Sequence, residues 1–129
     1  MTLDKIKKIL NAKVIVGSDA LNADIKMGCG CDLMSDVLAF VKSDSLLLTG
    51  LTNPQVIRTV EMSDIKAVCF VRGKKPDKET VELAKSKNIP LLLTDFPLFE
   101  ACGKLYKEGL AGCSEINEYR DYQGSGTCL

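Results

Sequence analysis

Between Ser45 and Tyr106 the order of apolar and polar positions repeats three times, each time as a short apolar run, a polar turn and a segment of helical period. Leu46-Leu47-Leu48-Thr49-Gly50 leads into Asn53-Pro54, and Ala67-Val68-Cys69-Phe70-Val71 leads into Arg72-Gly73-Lys74-Lys75-Pro76-Asp77. The third copy runs from Leu91-Leu92-Leu93-Thr94 into Asp95-Phe96-Pro97. Each copy has a Pro near the start of the helical segment, where the N–H that proline lacks would have no partner. Short strands alternating with helices at this interval predict parallel pairing through crossover helices, because parallel neighbours cannot be joined by a tight hairpin. Lys66 to Val71 shows no polar alternation, as expected of a strand covered on both faces.

The flanking segments extend the pattern. Leu3, Ile6, Ile9 and Leu10 share one helical face, which predicts a helix over 2–11, and Lys13 to Val16 reads as a strand closed by Gly17-Ser18-Asp19. Asn22 to Met27 is a weaker strand pattern leading into Gly28-Cys29-Gly30-Cys31. From Asp32 the period becomes helical, with Leu33, Met34, Val37, Leu38 and Val41 on one face and Asp32 placed to cap the first turn. Asn53 caps the next helix, whose buried stripe is Val56, Ile57 and Val60. Pro76-Asp77 opens another that turns Val81 and Ala84 inward and stops at Asn88 and Pro90. Leu98, Cys102 and Leu105, with Phe99 and Tyr106 beside them, give the last helix a wide apolar face. The expectation is a small α/β domain over 1–109, with a largely parallel sheet flanked by helices. A polar tail over 110–129 is too poor in apolar side chains to offset its own ordering entropy.

Composition narrows the function more than the fold. At 129 residues and 46% hydrophobic, the chain suits one domain with a substantial core. Lys+Arg and Asp+Glu both number 17, so no global field draws it to nucleic acid or to an anionic membrane, and neither is an expected partner. No apolar run approaches the roughly 20 residues that span a bilayer, and the first ten residues lack a signal-peptide core. The expected location is therefore the cytoplasm, where the six cysteines are free thiols by default. Histidine is absent, which removes Ser-His and Cys-His nucleophile pairs and the usual general base near neutral pH. No catalytic constellation is visible, and the chain reads as a non-enzyme.

Candidate chemistry falls where open parallel sheets bind ligands, beyond the carboxyl ends of the strands. The turns carrying Thr49, Gly50 and Asn53, then Arg72, Gly73 and Lys74, then Thr94 and Asp95 converge there if the repeat is read correctly. The Arg72–Lys75 turn is either a phosphate- or carboxylate-binding loop or a solvated basic loop; it has the spacing of neither a P-loop nor a dinucleotide turn. Asp32 and Asp36, four residues apart, either hold a Mg²⁺ ion or a ribose hydroxyl or simply favour a helix start. Cys29 and Cys31 before a helix suit redox exchange or metal ligation, and with Cys102 and Cys113 could supply four thiolates to an iron–sulfur cluster. The other reading is structural thiols.

Asp-Leu-Met-Ser-Asp-Val-Leu-Ala at 32–39, Leu-Thr-Gly-Leu-Thr-Asn-Pro-Gln-Val-Ile-Arg-Thr at 48–59 and Phe-Val-Arg-Gly-Lys-Lys-Pro at 70–76 together resemble the small stand-alone DRTGG-domain proteins of anaerobic bacteria. The resemblance runs from about Leu3 to Gly109. It implies an α/β domain similar to the N-terminal domains of HPr kinase/phosphorylase and of the MurF ligase, in a regulatory role, since the kinase activity of the former belongs to a separate P-loop domain. Thr52-Asn53 and Val71-Arg72-Gly73 stand where the motif that names the family has Asp-Arg and Thr-Gly-Gly.

The resulting expectation is a regulatory module, a homo-oligomer, that binds a nucleotide or phosphorylated metabolite, or a partner protein, at the carboxyl edge of its sheet. Thr49, Gly50, Asn53, Arg72, Gly73, Lys74, Thr94 and Asp95 would line that site, with Asp32 and Asp36 beside them. The alternative is a redox or iron–sulfur accessory protein using Cys29 and Cys31, serving hydrogenase or electron-transfer systems.

Overall fold

The three apolar runs form the centre of a six-stranded sheet, and each is followed by the helix its period predicts. The computed structural model describes residues 1–115; the rest of the expected polar tail lies outside the described residues. Along the described chain come α1 (Leu3–Ile9), β1 (Lys13–Val16), β2 (Met27–Gly30), α2 (Met34–Phe40), β3 (Ser45–Thr49), α3 (Pro54–Met62), β4 (Ala67–Phe70), α4 (Lys78–Lys87), β5 (Leu91–Leu93), α5 (Leu98–Lys107) and β6 (Ala111–Gly112). The strand order is β1-β5-β4-β3-β2-β6. All neighbours are parallel except β1, which pairs antiparallel with β5 at one edge.

Side-chain alternation sends each central strand into two cores. Leu46, Leu48, Ala67, Cys69, Val71 and Leu92 pack under α1 and α5, while Leu47, Val68, Phe70, Leu91 and Leu93 pack under α2, α3 and α4. Coverage on both faces is why these runs contain no polar alternation. Full burial of one such side chain stabilises the fold by about 1.5–3 kcal/mol, so the three runs supply much of the driving force. The helix starts follow the sequence: Thr2 accepts from the Lys5 N–H at 3.2 Å, and Asn53 accepts from the Gln55 N–H at 3.0 Å just before Pro54.

Four features differ from the sequence expectation. The strand expected over 22–27 lies instead at Met27–Gly30, so Gly28-Cys29-Gly30 belongs to β2 and pairs with Leu46 to Leu48. A Cβ on Gly28 would lie 3.0 Å from Leu110, and one on Gly30 would collide with the Cys102 sulfur, so these glycines let α5 and the following segment press against the strand. Helix α2 starts at Met34, not Asp32, and buries only Val37 fully; Leu33 and Leu38 are exposed. On α5 the buried side chains are Ala101 and Leu105, whereas Phe99 and Tyr106 face outward. Finally, Leu110 is buried and Ala111–Gly112 join the sheet beside β2, so ordered structure continues past Gly109. Among the described residues no helix is long and apolar enough to cross a membrane.

Candidate functional site

Because β2, β3, β4 and β5 run in the same sense side by side, the loops leaving them open on one rim. Direct bonds tie these loops together. The Asp32 carboxylate, just past β2, accepts the Thr49 hydroxyl at 2.9 Å and the Gly50 N–H at 2.8 Å. The Val71 N–H donates to the Thr49 carbonyl at 3.1 Å, and beyond it the Arg72 and Gly73 N–H groups donate to the Phe96 and Thr94 carbonyls, each at 2.9 Å. The loops after β3, β4 and β5 therefore form one continuous surface.

The ten expected residues divide into those that hold this surface and those that face solvent. Thr49 is fully buried and spent on Asp32. Thr94 is also buried; its hydroxyl donates to the Leu10 carbonyl at 2.7 Å and accepts from the Phe96 N–H at 3.3 Å. These two frame the rim and do not line it. Asn53 is engaged as the α3 cap. Arg72, Lys74, Asp95, Asp32 and Asp36 are exposed, and no ion pair between described residues includes Arg72, Lys74 or Lys75.

Two local expectations are corrected by the backbone. Asp32 does not cap α2, because Leu33 is extended at the cap position and the carboxylate turns back to β3; the Cys31 sulfur accepts the Leu33 N–H instead, at 3.4 Å. With Asp32 outside the helix, the expected pair with Asp36 on one helical face does not form. The basic turn is not an anion-binding nest either. Arg72 and Gly73 both adopt positive φ, 59° and 65°, yet the N–H groups of Arg72, Gly73 and Lys74 are all bonded to carbonyls. Helix α4 begins only at Lys78, after Pro76-Asp77, so its N-terminus does not adjoin the turn. The charged groups that this turn leaves exposed are the Arg72, Lys74 and Lys75 side chains.

Among the described residues the thiols do not form the cluster of the alternative reading. Alternation along β2 turns Cys29 toward the α2–α3 core and Gly30 toward Cys102 on the opposite face. Among the described residues no three Cys, Asp or Glu side chains are placed to hold a metal ion, so Cys29, Cys31, Cys102 and Cys113 do not assemble a four-thiolate site. Nor is Cys29 an activated thiol: burial first, then the neighbouring Cys113, Cys31 and Cys102, push it up to about 12. Burial likewise raises Cys102, and carries Cys69, enclosed in β4, to about 12.

Sequence reasoning missed an apolar cleft of about 270 Å³ between α5 and the β2–β6 edge, lined by Gly28, Gly30, Phe99, Cys102, Gly103 and Leu110 among others. Its signal was present in the spacing of Phe99, Gly103 and Tyr106, which mark an α5 face distinct from the Ala101–Leu105 stripe.

Residues 5–106 match the DRTGG domain family. The chain belongs to it. No curated protein matches the chain. Among solved structures, this DRTGG domain is similar to the CBS and DRTGG domains of the regulatory region of Clostridium perfringens pyrophosphatase, crystallised with its activator diadenosine tetraphosphate. The TM-score is 0.65 at 16% identity, over 99% of this chain and 61% of that one. At this identity the likeness is one of fold, and the DRTGG domain described here spans less than two thirds of that chain's length. In the DRTGG domain Thr52 serves as a joint: its carbonyl accepts from Asp77 N–H at 3.1 Å and Thr80 hydroxyl at 2.8 Å, linking the β3–α3 loop to α4.

Proposed function

We propose that this DRTGG domain is a non-enzymatic regulatory module that binds a small anionic ligand, a nucleotide or phosphorylated metabolite, on the rim formed by the loops after β2, β3, β4 and β5. The observation that carries this reading is the bonding of those loops into one surface, with Arg72, Lys74 and Lys75 exposed at the β4 loop and the Asp32 carboxylate anchored at the β2 end. The ligand's phosphate faces Arg72 and Lys74, while a sugar hydroxyl meets the second oxygen of Asp32. Family membership and the nucleotide activator of the structurally similar pyrophosphatase regulatory region support the same class of ligand.

The mechanism is differential affinity: a ligand that prefers one arrangement of the tied loops biases the domain, or an assembly containing it, toward that arrangement. Thermal-shift screening with nucleotides and phosphorylated metabolites tests it. A ligand present at a hundred times its dissociation constant stabilises the folded chain by about 2.7 kcal/mol, a readily visible rise in Tm. No rise with any of them at millimolar concentration contradicts the proposal.

A further inference from the structure

Helix α5 carries a second surface, on the opposite face of the sheet from α2, α3 and α4. Phe99 is 88% exposed, the most exposed large apolar side chain among the described residues, and it stands beside the apolar cleft. A knob next to a hole on one face is self-complementary under a twofold axis, since each copy can offer its knob to the other's hole. We infer that this face joins two copies of the chain, with their α5 helices packed antiparallel across a twofold axis at Gly103.

The register follows from helix geometry. Phe99 and Tyr106, like Glu100 and Lys107, are seven residues apart, close to two turns, and Gly103 is the residue next to the midpoint of both intervals. A twofold axis perpendicular to the helix keeps each flank against its own kind. The Phe99 flank of one copy meets the Tyr106 flank and cleft of the other, and Glu100 meets Lys107 of the second copy, twice. This charge complementarity is built in: antiparallel pairing brings opposite signs together, while parallel pairing would exchange the flanks and set Glu100 and Lys107 of one copy against the Phe99 and Tyr106 flank of the other. At the centre a Cβ on Gly103 would have no heavy atom within 4 Å, so the surface there is open and flat enough for a second helix backbone to approach. The cleft suits this occupant better than a polar ligand because glycines, Cys102, Leu105 and Leu110 supply most of its wall.

Sedimentation velocity of the full chain from about 1 μM to about 500 μM, a range that brackets weak and moderate dimers, tests the inference. The wild-type chain is expected to dimerise within that range. Phe99→Glu, at an exposed position that leaves the fold intact, is expected to raise the dissociation constant about a hundredfold. Glu100→Lys and Lys107→Glu each place like charges together at both symmetry-related contacts and should weaken the dimer about three- to tenfold, and the double variant should restore it. A wild-type chain that stays monomeric throughout overturns the inference and leaves the cleft to another occupant. A dimer indifferent to Phe99→Glu, or a charge swap that fails to restore association, overturns it as well.

Discussion

The Asp32 carboxylate and the Thr49 hydroxyl, seventeen residues apart in sequence, are joined by a 2.9 Å hydrogen bond that fastens the end of β2 to the end of β3. The same oxygen takes the Gly50 N–H, so one side chain fixes the start of two loops. Asp32→Ala is expected to lower stability by about 1–2 kcal/mol, because it leaves the buried Thr49 hydroxyl and the Gly50 N–H without their acceptor. Asp32→Asn retains an oxygen that can accept and should cost less. Urea denaturation of the two variants checks the order; equal losses would mean that the acceptor is not what matters.

Binding and folding should separate at the β4 loop. Arg72 has φ of 59°, a conformation that glycine adopts freely, so Arg72→Gly removes the guanidinium without straining the backbone. Combined with Lys74→Ala, it is expected to abolish ligand-induced stabilisation while changing the Tm of the unliganded chain little, consistent with surface substitutions that stay within about 0.5 kcal/mol. An unchanged thermal shift would remove these side chains from the site.

The glycines of β2 have a steric role that can be measured by pairs of substitutions. Gly30→Ala should destabilise the chain by about 1–3 kcal/mol, since the new methyl group collides with the Cys102 sulfur. Cys102→Ala in the same chain should recover part of that loss, a coupling that a double-mutant cycle reads directly. Strict additivity would place the cost elsewhere.

Thiol burial predicts a pH dependence with a definite sign. Cys29 and Cys69 hold their protons in the folded chain up to about 12, whereas the ordinary thiol value is 9.0. Between those values the folded state binds more protons than the unfolded one, so the stability these thiols contribute is fully present below pH 9.0 and is lost as pH rises toward 12. Urea denaturation across that window should show a shallower decline for Cys69→Ala than for the wild-type chain. Parallel declines would contradict the assignment.

The repeated strands, the Asn53 cap and the shared rim were legible because each is written in local residue types: unbroken Leu/Val runs, a cap before proline, one loop after each strand. What escaped the sequence was set by packing between distant segments. The strand expected over 22–27 sits at Met27–Gly30 because Cys102 and Leu110 need the bare backbone of Gly28 and Gly30 beside them. Asp32 looks like a helix cap until Thr49 and Gly50 compete for its carboxylate. Thr94 looks like a rim residue until its hydroxyl is found beneath the rim on the Leu10 carbonyl, eighty-four residues away. The thiols read as a cluster because spacing alone does not show that the pleat of β2 turns Cys29 to the face of the sheet opposite Cys102 on α5.

The most direct test of the central claim is a titration of the isotope-labelled chain with the nucleotide that gives the strongest thermal shift, followed by backbone amide NMR. A ligand on the rim is expected to move the signals of Gly50, Arg72, Gly73, Lys74 and Asp95 together, with one saturation curve, and to leave the α5 face unchanged. Shifts confined to α5 and the β2–β6 edge, or spread without a common curve, would contradict binding at the loops that Asp32, Thr49 and Gly73 hold together.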